Sequence, residues 1–165
     1  MSSGATTISK VGLALIKSSE GFRSHVYKDV HGLPTIGYGH RLVQHDAFPN
    51  GIDEALAEHI LACDCDDVEE ALARLVLVPL TQGQFDALAD FTFNLGQGRL
   101  ADSTLLELLN AARYDDAALQ LLRWDHAEVY GHMVELAPLR ARREAEFALW
   151  HGIDRNDIAK AQVAA

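Results

Sequence analysis

The chain has 165 residues. On folding, a chain of this length buries roughly 70% of the surface that it exposes when unfolded, which is enough for one sizeable core or for two small lobes that share a helix. Its formal net charge of -10 argues against binding to a phosphate backbone as the main activity, so we expect no nucleic-acid partner. No apolar run approaches the ~20 residues that cross a bilayer, and the opening MSSGATTISK lacks the charged and apolar regions of a secretion signal, so we expect a cytosolic product.

The first predicted element is a short helix that ends at Glu20. Apolar residues recur at helical spacing behind the possible caps Thr6 and Thr7, and Gly21 is the expected stop. Glu20 lies four residues after Ile16 and shares its apolar face, which turns the carboxylate toward the protein. Burial and the negative end of the helix dipole then disfavour the ionised form, which suits a general acid. The alternative is an ordinary exposed Glu near a helix end.

A β-hairpin follows this helix. Residues 25–28 and 35–38 have strand composition and are joined by a turn that contains Gly32. Asp29 at the mouth of the turn and Thr35 on the returning strand can approach each other across the ladder. Glu20 and Asp29 would then supply the two carboxylates that hydrolysis of a glycosidic bond needs. The alternative for Asp29 is a structural role in the turn.

Residues 53–76 are predicted to form one long helix that ends before Pro79, with Leu56, Ile60, Cys63, Leu72 and Leu75 facing inward. Cys63 and Cys65 are two residues apart on this helix, so we expect neither a disulfide between them nor a cysteine zinc site. Strands are predicted before the helix and only helices after it. The pattern predicts an α+β fold, mostly α, in which the long helix could join two lobes with a cleft between them.

Five or more packed helices are expected after Pro79. Thr81 with Gln84 has the spacing of a capping box, and Thr104 with Glu107 repeats it. Another helix is predicted from Asp115 to Trp124, and a last one from Pro138 to near Gly152. The last helix carries three arginines, Arg140, Arg142 and Arg143, which could form a basic patch or a solvated helix face. Residues 153–165 are expected to be a loosely held tail.

Glu20, Asp29 and Thr35 stand within the segments EGF, YKD and TIGYGH, and this pattern resembles the phage-type lysozymes of glycoside hydrolase family 24. The later blocks LTQGQFDALADFTFNLGQG, DSTLLELLN, DDAALQLLRW and LRARREAEFALW resemble the same family, so the similarity covers about residues 8–151. It implies one lysozyme-like catalytic domain over residues 1–152. A hairpin lobe would span residues 21–52, a linking helix 53–77 and a helical lobe 79–152.

The resemblance implies a muramidase that cleaves the β-1,4 bond between N-acetylmuramic acid and N-acetylglucosamine in bacterial peptidoglycan. By similarity, Glu20 is the general acid, Asp29 is the second catalytic carboxylate and Thr35 helps to place the attacking water. Family members are regarded as inverting, which requires room for a water between the carboxyl groups.

Further roles are implied for residues outside the hairpin. His40 matches a histidine with a structural or supporting role, and Arg140 matches an arginine that lies against the catalytic Glu. Substrate contacts are implied for Phe93, Thr104 and Gln120, although Phe93 could equally belong to the core.

We expect no cofactor and no metal. Four histidines cluster in the first part of the chain, namely His25, His31, His40 and His45, but they lack a standard metal-ligand spacing. One departure from the family pattern is the stretch HAEVYGHMVELAPLR, which leaves the loop before the last helix unpredicted.

The resemblance implies a monomeric endolysin that waits in the host cytoplasm until a holin opens the inner membrane, without a stable complex with the holin. A bacterial enzyme delivered by a secretion apparatus would look the same. Two other activities compete: a lytic transglycosylase, which forms 1,6-anhydro products, and a catalytically silent peptidoglycan-binding module. Asp29 and Thr35 at the family spacing argue against both.

Overall fold

A computed structural model describes residue 4 and residues 6–29 and 32–153 of the chain. The described part is mostly helical with two small antiparallel sheets, as the predicted α+β class requires. Of the predicted C-terminal tail, residues 154–165 lie outside the described residues. Within the described part, no helix is long and apolar enough to cross a membrane.

The first half of the fold consists of α1 (Lys10–Glu20), β1 (Arg23–Lys28), β2 (Pro34–Gly37), β3 (His40–Arg41) and α2 (Glu54–Leu75). The second half consists of α3 (Gln82–Leu95), α4 (Gln97–Ala101), α5 (Thr104–Asn110), α6 (Tyr114–Leu121), β4 (His126–Val129), β5 (His132–Glu135) and α7 (Ala137–Trp150).

Helix α1 ends where the sequence predicts but begins later. Its N-cap is Ser9, whose hydroxyl accepts hydrogen bonds from the backbone N–H groups of Val11 and Gly12, so the prediction of Thr6 or Thr7 as the cap is wrong. The Gly21 N–H donates to the Lys17 carbonyl, and Gly21 has a φ of 71°. The glycine therefore stops the helix directly after Glu20.

Strands β1, β2 and β3 form one antiparallel sheet in that order. The predicted hairpin is present, but the third strand was not predicted because β3 has only two residues. Tyr27 lies opposite Thr35, which in turn lies opposite Arg41. These three residues form a row across the sheet close to Asp29.

The face of α2 that contacts the sheet is shifted by about one residue from the face that the sequence predicted to be buried. Its buried residues are Ala57, Leu61, Cys65, Val68, Ala71 and Leu72. Leu56, which was predicted to face inward, is 41% exposed, and Cys63 is also exposed. The reason is that Ala57, Leu61 and Cys65 pack against Ile16 of α1 and Ile36 of β2 in a core cluster on this side of α2.

A larger core cluster lies among the helices of the second half. Thr81 caps α3 in a capping box with Gln84, as predicted. The cap of α5 is Ser103 rather than the predicted Thr104, because the Ser103 hydroxyl accepts from the Leu106 N–H. Helix α6 ends at Leu121, three residues before the predicted end at Trp124.

A second hairpin, β4 and β5, contradicts the prediction that only helices follow α2. Its turn contains Tyr130 at φ 50° and Gly131 at φ 80°. Two consecutive residues with positive φ are typical of the type I′ turn, which joins antiparallel strands with the favoured twist. The hairpin leads directly into α7, where Pro138 stands in the first turn.

Candidate active site

Glu20 is held between the last helix and the sheet. Its side chain is 21% exposed, and its Oε1 atom accepts a hydrogen bond of 2.7 Å from Nη1 of Arg142. Its Oε2 atom would be 2.9 Å from a Cβ atom at Gly39, in the turn between β2 and β3. Gly39 also has a φ of 84°, so both the backbone and the contact with Glu20 require glycine there.

The arginine that contacts Glu20 is Arg142, and the prediction of Arg140 is wrong. Arg140 is 57% exposed and pairs with Glu135 and Glu144. Two residues along an α-helix correspond to a rotation of about 200°, so Arg140 points to solvent when Arg142 points toward α1 and α3.

Arg142 also binds a buried acid. Its Nε and Nη2 atoms each lie 2.8 Å from an oxygen of the Asp90 carboxylate in α3. Burial disfavours the charged guanidinium, but the Asp90 and Glu20 carboxylates outweigh burial and raise the pKa of Arg142 above its ordinary value. The residue therefore remains a cation. Because Arg142 and Arg143 are buried, the three arginines form neither the basic patch nor the solvated helix face that the sequence allowed.

Asp29 lies at the end of β1, and both of its oxygens have partners. Oδ1 accepts a hydrogen bond of 2.9 Å from the Leu33 N–H, and Oδ2 lies 3.3 Å from Nη2 of Arg41. The backbone N–H of Asp29 also donates to the Leu33 carbonyl. One oxygen of Asp29 therefore holds the turn at Leu33, and the other faces Arg41 of β3.

Thr35 is buried in the middle of the sheet, with 2% of its surface exposed. Its hydroxyl donates a hydrogen bond of 3.1 Å to the Leu33 carbonyl. Because its single hydrogen is used in this bond, the lone pairs of the Thr35 hydroxyl can accept from a water or a substrate group. Asp29 and Thr35 thus contact the same residue, Leu33, from the two strands.

Tyr27 was not singled out in the sequence. Burial raises the pKa of its phenol, and the negative charges of Glu20 and Asp29 raise it further against the opposing effect of Arg23. The side chains of Glu20 and Asp29 therefore both act electrostatically on this one phenol.

His40 connects the sheet to α2. Its Nδ1 atom lies 3.0 Å from both carboxylate oxygens of Asp64, and its Nε2 atom lies 3.4 Å from Asp46. Burial raises the pKa of Asp64, with the hydrogen bond to His40 opposing it, whereas the Val43 N–H lowers the pKa of Asp46. These contacts anchor β3 next to the Glu20 site.

The predicted substrate contacts lie on three different helices. Phe93 in α3 is half-buried and packs against both core clusters, which favours the core interpretation. Thr104 is the exposed first residue of α5, and Gln120 is half-buried in α6. Their roles toward a substrate stay predictions.

Among the described residues, no group of three or more His, Cys, Asp or Glu side chains could hold a metal ion; His31 of the predicted cluster lies outside them. A cavity of about 260 Å³ lies between the N-terminal segment, α2 and α3, lined by residues such as Leu72, Val76 and Phe85. None of the predicted site residues lines it.

Comparison with known proteins gives consistent matches. The family model for phage lysozyme matches residues 17–146, a range that contains Glu20, Asp29 and Arg142. The endolysin of Bacillus phage B103 is 40% identical over 148 residues, covering 87% of this chain and 53% of that protein, so the chain spans about half of its length. The endolysin of Salmonella phage P22 is 39% identical over 140 residues, covering 83% of this chain and 94% of that protein. Among solved structures, the muramidase domain of SpmX from Asticaccaulis excentricus has a TM-score of 0.81 and 38% identity, covering 87% of this chain and 97% of that chain.

Proposed function

Because the chain belongs to the phage lysozyme family, we propose that it is a muramidase that hydrolyses the β-1,4 bond between N-acetylmuramic acid and N-acetylglucosamine in peptidoglycan. The observation that carries this proposal is the placement of the Glu20 carboxylate. It is fixed by Arg142 on one side and lies against Gly39 of the sheet that carries Asp29 and Thr35. Two carboxyl groups beside one cleft are what glycoside hydrolysis uses.

Glu20 acts as the general acid. Its Oε1 atom is occupied by Arg142, so Oε2 is the atom that carries the proton to the leaving glycosidic oxygen. Arg142 also binds both oxygens of Asp90, so the guanidinium that contacts Glu20 is itself held in place by a second acid. The same arginine fixes the position of the acid, and orientation of a catalytic group contributes to the rate.

Asp29 and Thr35 place the water. Asp29 accepts a proton from the water as it attacks the anomeric carbon, and the Thr35 hydroxyl accepts the second hydrogen bond from the same water. The glycosidic bond breaks as the new carbon–oxygen bond forms on the opposite face of the sugar, which inverts the configuration. His40 supports β3 through Asp64, and Phe93, Thr104 and Gln120 are the proposed substrate contacts.

In its biological role the protein acts as an endolysin on bacterial peptidoglycan at the end of infection. It functions as a monomer and waits in the host cytoplasm until a holin opens the inner membrane. We assign residues 1–152 to one catalytic domain, in which α2 (Glu54–Leu75) links a hairpin lobe over residues 21–52 to a helical lobe over residues 79–152.

Analysis of the products from purified peptidoglycan tests this function. After digestion and borohydride reduction, mass spectrometry is expected to find N-acetylmuramitol at the new ends. 1,6-Anhydro ends would instead identify a lytic transglycosylase, and N-acetylglucosaminitol ends would identify cleavage of the other glycosidic bond. An unchanged polymer would support a binding module without catalytic activity.

A further inference from the structure

Tyr27 lies on the sheet face that carries the proposed catalytic groups. It is directly opposite Thr35 in the register of β1 and β2. Directly opposed residues of antiparallel strands point to the same face, with Cβ atoms about 4.5–5.5 Å apart. Asp29 follows Tyr27 by two residues, which is the period of a strand face. Tyr27 therefore shares a sheet face with the two groups to which the placement of the water is assigned.

The protonation of this phenol suits a hydrogen-bond donor. The Arg23 guanidinium lies 5.7 Å from the centre of the Tyr27 ring and packs over it. Burial and the charges of Glu20 and Asp29 raise the pKa of Tyr27 above its ordinary value of 10.0. The hydroxyl thus stays protonated at neutral pH and can donate one hydrogen bond.

We propose that Tyr27 is a positioning residue for the attacking water, an inference that rests on the proposed muramidase function. The water donates its two hydrogens to Asp29 and Thr35. One of its lone pairs accepts the Tyr27 O–H, and the other is left to attack the anomeric carbon. In the reaction the water proton passes to Asp29 and the Glu20 proton passes to the leaving oxygen, while Tyr27 keeps its proton.

The Tyr27→Phe variant tests this role because it removes only the hydroxyl. The release of reducing ends is measured over a range of peptidoglycan concentrations, together with the thermal midpoint of unfolding. We expect kcat to fall about 10-fold or more, with KM within about twofold of the wild-type value and little change in the thermal midpoint.

Tyr114→Phe is the matched control. Its hydroxyl donates a hydrogen bond of 2.9 Å to the Pro79 carbonyl, far along the chain from the proposed site, and serves only packing. This variant is expected to lower the thermal midpoint slightly and to leave kcat unchanged.

A wild-type kcat in folded Tyr27→Phe, with or without a loss of thermal stability, would overturn the role of Tyr27. Glu20→Gln is assayed in parallel. Only the Tyr27 inference fails if wild type releases reducing ends, Glu20→Gln releases none, and Tyr27→Phe has the wild-type kcat. If wild type itself releases no reducing ends, the proposed muramidase function fails.

Discussion

The Arg142 guanidinium bridges Glu20 and Asp90, two acids from helices α1 and α3. It donates to Glu20 at 2.7 Å and to both oxygens of Asp90 at 2.8 Å. Asp90 is fully buried, whereas Glu20 reaches the surface. One cation therefore stabilises a buried charge and orients the proposed acid at the same time.

Replacing Arg142 should separate these two roles. Arg142→Met leaves Asp90 buried without its cation and should lower the free energy of unfolding by about 3–5 kcal/mol. The double variant Arg142→Met/Asp90→Leu should regain most of that stability but remain at least about 100-fold slower, because Glu20 still lacks its donor. Urea unfolding and reducing-end release measure the two effects.

The exposed Arg140 provides the control for this series. Arg140→Met breaks surface ion pairs and should leave the free energy of unfolding nearly unchanged. Full activity in the double variant would contradict the role of Arg142 in orienting Glu20.

The buried pair of Arg143 and Glu146 should show the same pattern of stability as the pair of Arg142 and Asp90. Both side chains are fully buried, and Nη2 of Arg143 lies 2.6 Å from Glu146. Three of their polar atoms have no hydrogen-bond partner among the described residues: Nε and Nη1 of Arg143 and Oε2 of Glu146. Glu146→Leu alone should cost about 3–5 kcal/mol, and Arg143→Met/Glu146→Leu should recover that loss or exceed wild-type stability. A double-mutant cycle from urea unfolding measures this, and a double variant no more stable than Glu146→Leu would contradict it.

Glu146 should also make stability depend on pH. Burial raises the pKa of Glu146 above its ordinary value of 4.5, and the charge of Arg143 opposes this effect only in part. At pH values between the pKa of Glu146 in the unfolded state and its pKa in the folded state, the native state binds more protons than the unfolded state. The stabilisation that Glu146 contributes is therefore present below about pH 4.5 and is lost as the pH rises. The free energy of unfolding of wild type relative to Arg143→Met/Glu146→Leu should therefore decrease from about pH 4.5 upward. A constant difference over this range would exclude the effect.

Gly39 should be required for activity and not only for folding. Gly39→Ala places a Cβ atom 2.9 Å from Oε2 of Glu20 at a φ of 84°. Backbone strain should cost roughly 1–2 kcal/mol, and displacement of the acid should reduce the rate about 100-fold. Gly131→Ala has a similar φ of 80°, and no atom of the described residues lies within 4 Å of the new Cβ, so it matches the strain without touching Glu20. Equal activities in these two variants would contradict the role of the contact.

Local signals in the sequence predicted much of the fold. The stop of α1 at Gly21, the capping box of Thr81 and the strands around Asp29 all depend on residues a few positions apart. The hairpin of β4 and β5 was missed because every residue of β5 is exposed, so no alternation of apolar and polar residues marks the strand. The turn at Tyr130 and Gly131 was the sequence feature that could have indicated this hairpin.

The choice between Arg140 and Arg142 depended on a contact that spans 122 residues of sequence. The family resemblance indicated that an arginine of α7 contacts the catalytic Glu, but α7 carries three arginines within four residues. The periodicity of α7 distinguishes them, because Arg142 stands three residues before the buried Ala145 and four before the buried Glu146, and residues at these spacings share a helix face. Tyr27 gave no such signal, since its relation to Glu20 arises only when the sheet packs against α1.

The most direct test of the account is the rate at which Glu20→Gln releases reducing ends from purified peptidoglycan. We expect the rate to fall by about 10²–10⁴-fold, since the amide cannot donate a proton to the leaving oxygen. Glu144→Gln, which removes only a surface partner of Arg140, should keep the wild-type rate. A wild-type rate in Glu20→Gln would contradict the assignment of Glu20 as the acid that cleaves the glycosidic bond.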